Sequence, residues 1–532
     1  MKVYEIYSEV LKQISSDCIY GVPGSFIMPL WWEISRSHRV ILARHESGAV
    51  FMADGYARAS GNMGIALTTV GPGVTNAITG IACAYQDSIP LLVISGMGPI
   101  SKENVGMFQN CAVEDRGFSS VKLLQPITKR VFLPKTKEEA INCLYEGIRI
   151  ANTGRKGPVH ISLPLDIQEA EINPKMKKVD FKVNEKEFAL EQHSLNLISE
   201  YKRPIILCGW GVHLAKAGEK LEVFSRKLHI PVVATVKGVS ACSISNPYYW
   251  GIVGNILKKS LKERIWEYNP DLVIVMGSSL SMNSCPEFED LFKSATIMQI
   301  DIDERQFDRY KKVKYQINCD MKQALEFMLK SKIKVFTSIL PIAKEHLEKE
   351  SYFAGIVKCM NKILPKESVV IPDAGNHWLD VLYGYNPKSI FGLTTNNGLG
   401  SMGHAIGSAI GIARSMPEKK VVCVSGDGSI LMSGEEISTA VNYGVNIIFV
   451  VENNNGLGRV RIGQIENKVS TESSKIEKFD IQKYAQSLGA KAYKCHDLKT
   501  FDKTFCKALD EKGTIVIEVQ VDEDDYPTVL QK

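Results

Sequence analysis

Two short stretches of the 532-residue chain place oxygen ligands where strands should end: Gly426-Asp427-Gly428-Ser429 and Asn453-Asn454-Asn455-Gly456. Between them lie a helical pattern, from about Leu431 to Asn442, and the apolar run VNIIFVVENN, so the segment reads strand, helix, strand. In a parallel sheet both strands deliver their carboxyl ends to one edge, where doubly wound folds bind ligands. Asp427 and Asn454 are therefore expected as neighbours, although 27 positions separate them. A hard divalent cation such as Mg2+ takes a few protein oxygens and completes its shell with phosphate oxygens and water. Asp427 offers a carboxylate, Asn454 an amide oxygen and the Asn455-Gly456 turn a free backbone carbonyl. The helix expected after Gly428 and Ser429 turns its first N–H groups toward an anion at the same place. A metal together with a diphosphate suits both halves.

Such residues need a scaffold that ends its strands at one edge, and the sequence supplies it three times over. Short β-branched runs closing in glycine or a polar turn recur: GIALTTVGPG, LLVISG and VHISLP; then PIILCGWG, IPVVATV, DLVIVMGS and IMQIDID; then SVVIPDAG, VVCVSGDG, NIIFVVENNN and TIVIEVQVD. Their apolar residues run on without alternating, as in parallel strands covered on both faces, and helical patterns lie between them. The expected fold class is α/β, with three doubly wound parallel-sheet domains. Residues 171 to 192 and 331 to 350 are charged and lack the strand-glycine pattern, so they are expected as connectors. The resulting domains are 1–170, 193–330 and 350–532.

Composition narrows the function. The chain is too long for one core, and its 45% hydrophobic content is enough to fold several. A net charge of +5, not gathered into a basic block, argues against nucleic acid and membrane surfaces as partners. Twelve cysteines without a Cys-x-x-Cys pair read as reduced thiols of a cytoplasmic protein. The first residues, MKVYEIYSEVLKQI, form an amphipathic helical pattern and not the apolar core of a signal peptide. No apolar run approaches the roughly 20 residues that cross a bilayer.

The Gly-Asp-Gly-Ser to Asn-Asn arrangement resembles the motif of thiamine diphosphate enzymes, and most of the chain is similar to the acetolactate synthase-like family of 2-oxo acid decarboxylases and carboligases. GVPGSFIMPL (21–30), ARHESGAVFMADGYARASG (43–61), TTVGPGVTNAITGIACAYQDSIPLLVISG (68–96) and MFQN (107–110) follow that family's pyrimidine-binding domain in order. The resemblance implies thiamine diphosphate and Mg2+ as cofactors. It assigns the metal to Asp427, Asn454 and the Gly456 carbonyl, and the diphosphate to Gly428, Ser429, Gly375, Asn376 and His377. Pro23 and Gly24 join the cofactor site. Gly400 accepts from the aminopyrimidine, and Met402 folds the cofactor into its bent shape.

By the same resemblance Glu46 is the acid beside the aminopyrimidine N1′, where it favours the imino tautomer that deprotonates thiazolium C2. That task suits a carboxyl raised by an apolar setting, which the residues from Ser47 to Met52 supply. His45 beside it reads as structural. Phe108 and Gln109 match the family's pocket residues. In this family the pyrimidine domain of one chain faces the diphosphate domain of another, which implies a homodimer or homotetramer.

Elsewhere the chain departs from the family. Where many acetolactate synthases carry Gly-Ala-Arg-Phe-Asp-Asp-Arg in a flavin-binding middle domain, this sequence has Gly277-Ser-Ser-Leu-Ser-Met-Asn283, so both arginines are missing and FAD is doubtful. The second arginine grips the acceptor's carboxylate in the family, a pairing an Asn does not reproduce. The family's acceptor-selecting Trp aligns with Gly463. Lys237, at a substrate-facing position in relatives, reads here as an exposed strand-end lysine, and Cys111 as a buried structural thiol. The expected substrates are a small 2-oxo acid such as pyruvate and a carbonyl acceptor, with acetolactate itself doubtful as product. A thiamine diphosphate-dependent C–C hydrolase is the alternative. A catalytically silent subunit would have lost Glu46, Asp427 or Asn454, and all three are present.

Overall fold

The computed structural model describes residues 1–14, 18–102, 109, 119–173, 197–282, 284–337, 339–342 and 349–531. All eleven apolar runs become strands. β4 (Leu91–Met97) and β15 (Ile447–Asn453) are buried at every residue, as continuous apolarity requires when helices cover both faces.

Three sheets form, and every pairing within them is parallel. The first holds β1 (Cys18–Val22), β2 (Arg39–Leu42), β3 (Gly64–Thr68), β4, β5 (Arg130–Phe132) and β6 (Val159–Pro164) in the order 2-1-3-4-6-5. The second holds β7 (Pro204–Cys208), β8 (Val232–Ala234), β9 (Tyr249–Ile252), β10 (Leu272–Met276), β11 (Thr296–Asp301) and β12 (Tyr315–Asn318) in the order 12-11-10-7-8-9. The third holds β13 (Val369–Pro372), β14 (Val421–Gly426), β15, β16 (Lys491–Cys495) and β17 (Thr514–Gln520) in the order 13-14-15-17-16.

The first and third sheets are locked together by two crossing helices, Glu46–Ser60 and His404–Ser415. Their backbones touch because glycines face the partner: a side chain at Gly55 would enter the Ser408 carbonyl, and one at Gly411 the Met52 carbonyl. One apolar cluster runs through both, from Val50 and Ala53 to Ile406 and Ile410. Where the second sheet joins them, a buried ion network forms. Arg58 bonds Asp54 and, at 2.7 Å, Asp87; Lys237 of the second sheet's domain reaches Asp87 at 3.1 Å, and His404 of the third reaches Asp54 at 3.1 Å. Among the described residues no helix is long and apolar enough to cross a membrane.

Candidate active site

Strands β13, β14 and β15 lie side by side, and the residues singled out follow their carboxyl ends. β14 runs into Asp427, the first residue of a helix that spans Asp427–Ser433; a second helix, Glu436–Asn442, follows it. The sequence suggested one helix from Leu431; the structure breaks it at Gly434, where a side chain would collide with the Ile430 carbonyl. Gly456 N donates to Asp427 Oδ2 at 3.0 Å, so the two ligand-bearing segments are neighbours as expected. Gly428 N donates to Oδ1 at 2.7 Å. Burial pushes the Asp427 carboxyl up to about 6 against these two bonds. The Gly456 carbonyl is not free, since it accepts from Gly458 N at 3.0 Å; its second lone pair is what remains for a cation.

No group of three His, Cys, Asp or Glu side chains gathers as a metal site among the described residues. The donors at this edge are one carboxylate, one carboxamide and one carbonyl, a set suited to a Mg2+ that keeps phosphate and water oxygens.

β13 leads through Asp373 and Gly375 to the helix Asn376–Gly384. His377 Nδ1 lies 3.0 Å from Glu452 Oε2, which also accepts from His377 N at 3.1 Å. Its other ring nitrogen, Nε2, is buried without a partner in the described structure, as are Asn376 Oδ1 and Ser429 Oγ. A buried polar atom left unbonded costs about 1–3 kcal/mol. Ser429 Oγ–H, and His377 Nε2 when both ring nitrogens carry hydrogen, can donate to an anion such as a diphosphate, whereas Asn376 Oδ1 only accepts and suits a cation or an N–H donor.

Asp373 holds the loop on the other side. Its carboxylate accepts from Gly403 N at 2.6 Å and Ala405 N at 3.0 Å. That fixes the segment containing Gly400, at φ +73°, and Met402. The Met402 methyl lies over Gly428, 3.1 Å from where a Cβ would stand. Asp373 and Glu452 escaped the sequence reading; the available signal was an acid at the end of an otherwise apolar strand.

In the first sheet's domain, Glu46 is the first residue of its helix and only 7% exposed, so it is no surface glutamate. Asn76 Nδ2 donates to Glu46 Oε2 at 2.9 Å. His45 caps the helix by accepting from Ser47 N, a structural role as expected. Gln109, at φ +58°, lies against Gly71 at the start of the helix Pro72–Gln86, which also carries Asn76. Gln109 and Glu46 thus share one end of that helix. Pro23 and Gly24 follow β1, and a side chain on Gly24 would meet Thr69 Oγ1 at 2.5 Å. Phe108, Cys111 and Asn283 lie outside the described residues. Among the described residues no hydrogen bond joins Glu46 to Asp427 or Asn454.

Lys237 corrects the sequence reading: it is an ion-pair partner of the fully buried Asp87 and not a free strand-end lysine. It lines a cavity of about 150 Å³ beyond the carboxyl ends of the paired β7 and β10, together with Gly211, Ser279, Asp301 and Lys156. Ser279 stands where the family's first arginine would be. Gly463 lies in the helix Gly458–Glu466 with no atom within 4 Å of where its side chain would begin.

Comparison with known proteins agrees with this geometry. Residues 1–116 match the N-terminal TPP binding domain of thiamine pyrophosphate enzymes, residues 192–328 their central domain and residues 373–519 their C-terminal TPP binding domain. The class is therefore that of the thiamine pyrophosphate enzymes. The chain is 30% identical to the acetolactate synthase large subunit of Lactococcus lactis, over 98% of this chain and 93% of the relative. It is 30% identical to a probable acetolactate synthase large subunit of Methanocaldococcus jannaschii, over 92% and 87%. The acetolactate synthase isozyme 1 large subunit of Escherichia coli is also 30% identical, over 86% and 82%. The chain belongs to the acetolactate synthase-like family of thiamine diphosphate-dependent 2-oxo acid decarboxylases and carboligases.

Proposed function

We propose that this enzyme decarboxylates a small 2-oxo acid of pyruvate's kind and transfers the remaining unit to a carbonyl acceptor, with a product other than acetolactate. The observation that carries the reading is the pair of unpartnered buried groups able to donate to an anion, Ser429 Oγ and His377 Nε2, in the segments around the buried Asp427 carboxylate. Bound there, thiamine diphosphate supplies a thiazolium that takes up the electrons freed with CO2. Asp427, Asn454 and the Gly456 carbonyl hold Mg2+, while Gly428, Ser429, Gly375, Asn376 and His377 hold the diphosphate. Gly400 and Met402 orient the pyrimidine ring, with Pro23 and Gly24 from the N-terminal domain closing the site. Glu46 keeps Oε2 on Asn76 and exchanges a proton through Oε1. Gln109 and Phe108 face the substrate.

The domains are 1–170, 193–330 and 350–532, a division the family matches support. Glu46 and Asp427 meet across the interface of a homodimer or homotetramer. Exposed Leu431 and Met432 on the Asp427 helix support a partner surface there. Free thiols at all eleven described cysteines favour a cytoplasmic setting. Gly463 and Ser279 argue for an acceptor different from a second 2-oxo acid and for a middle domain without flavin.

Incubation with pyruvate, thiamine diphosphate and Mg2+ should release CO2, and a screen of aldehyde acceptors by mass spectrometry should identify the product. Glu46→Gln should lower CO2 release by about 10²-fold or more with folding intact; full activity in that variant refutes the role. Acetolactate as the main product, or a flavin absorption band in the purified protein, would overturn the acceptor and middle-domain readings.

A further inference from the structure

Glu436 opens the helix Glu436–Asn442 in the C-terminal domain and is 0% exposed. Its Oε1 accepts from the backbone N–H groups of Arg44 and His45, each at 3.0 Å, and its Oε2 from Thr439 Oγ1 at 2.7 Å. Arg44 and His45 are the two residues directly before Glu46. The same helix and the residue that ends it make two more bonds to this turn, from Leu42 N to the hydroxyl of Tyr443 and from Arg44 Nε to Ser438 Oγ, both at 2.8 Å. Gly48 completes the fit, since a side chain in this first helical turn would collide with Glu436 Oε1.

From this arrangement we infer that Glu436 is a positioning residue for Glu46. The inference rests on the reading of Glu46 given above. The direction of a helix's first side chain is set by the backbone just before it, and here two consecutive N–H groups of that backbone are tied to one carboxyl group. Displacing a reacting group by about 1 Å costs on the order of 10²-fold in rate. Glu436 touches neither substrate nor cofactor in this scheme; it acts through where Glu46 stands. Burial pushes its carboxyl up to about 7, so the neutral amide of glutamine is a close substitute that keeps the acceptor oxygen.

The test measures proton exchange at C2 of enzyme-bound thiamine diphosphate by NMR after acid quench, with cofactor affinity by calorimetry in Mg2+. Glu436→Ala should slow exchange by about tenfold or more, while affinity stays within about threefold. Glu436→Gln should restore exchange. Gly48→Ala, which drives the carboxyl off the turn, should behave as Glu436→Ala does, and it decides the matter if the alanine variant fails to fold. Exchange at the unaltered rate in Glu436→Ala and Gly48→Ala overturns the inference. So does a parallel loss of affinity, the mark of a merely structural role, and so does a Glu436→Gln variant as slow as the alanine. Glu46→Gln serves as the control. If it exchanges normally, the reading of Glu46 itself fails; if it is silent while Glu436→Ala and Gly48→Ala exchange normally, only the positioning role is lost.

Discussion

At the scale of single residues, His377 ties the segment after β13 to β15 at the proposed diphosphate edge. Glu452 holds its Nδ1 and its backbone N–H, which leaves Nε2 aimed at no described partner. A hydrogen bond from such a group to a charged ligand contributes about 1.5–3 kcal/mol. His377→Ala should therefore weaken thiamine diphosphate binding by about 10–100-fold in a calorimetric titration, and unchanged affinity would remove His377 from the site. Spacing alone placed the Asp427 and Asn454 segments at one edge, which the Gly456–Asp427 bond shows, whereas Asn376 and His377 were singled out only through the family resemblance. Glu452 and Asp373 were illegible because they act through neighbours that only the folded sheet supplies. Lys237 was misread for the same reason: its partner Asp87 lies 150 positions away. Without that acid in view, a lysine at a strand end reads as solvated.

Among the elements, the crossing of Glu46–Ser60 with His404–Ser415 governs how the N- and C-terminal sheets share one frame. Gly411 sits against the Met52 carbonyl, so Gly411→Ala forces backbone apart and should destabilise by roughly 1–3 kcal/mol. Gly463, in open space on its own helix, gives the contrast: Gly463→Ala should stabilise by about 0.5–1 kcal/mol through lost chain entropy. Paired denaturation curves check both, and equal effects would refute the close approach. The same distinction between covered and open surfaces explains which strands were legible. Apolar runs in sheet interiors announced themselves, except β1, an interior strand whose five residues CIYGV include a Gly and a Tyr. The other strands not foreseen, β2, β5, β9, β12 and β16, are all sheet edges. β2 shows why, with only Ile41 buried. An edge strand has one neighbour and needs less apolar surface, so its sequence carries a weaker signal.

Over the whole molecule, three domains converge on four charges. The side chains of Asp54, Asp87 and Arg58 are fully buried, and that of Lys237 is 24% exposed. Two carboxylates against two cations leave the junction balanced, and Trp210 adds an indole N–H to the Asp87 carbonyl at 2.7 Å. Removing Arg58 leaves two buried carboxylates with one partly exposed ammonium, so Arg58→Leu should cost about 3–5 kcal/mol, and Lys237→Leu less. The pH dependence follows from Asp54. Burial alone would raise its carboxyl, but Arg58 and His404 outweigh that and bring it down to about 2. The unfolded carboxyl titrates near its ordinary value of about 3.9. The folded state therefore binds the proton less readily, and the resulting stability, about 2–3 kcal/mol, is fully present above about pH 4 to 5. It drains away as pH falls through the folded value near 2. Urea unfolding at about pH 5 and about pH 3 should show part of this loss in the unaltered chain and much less of it in Arg58→Leu, which lacks the cation that lowers Asp54. An identical acid dependence in both would mean that the junction does not hold the three domains through this charge.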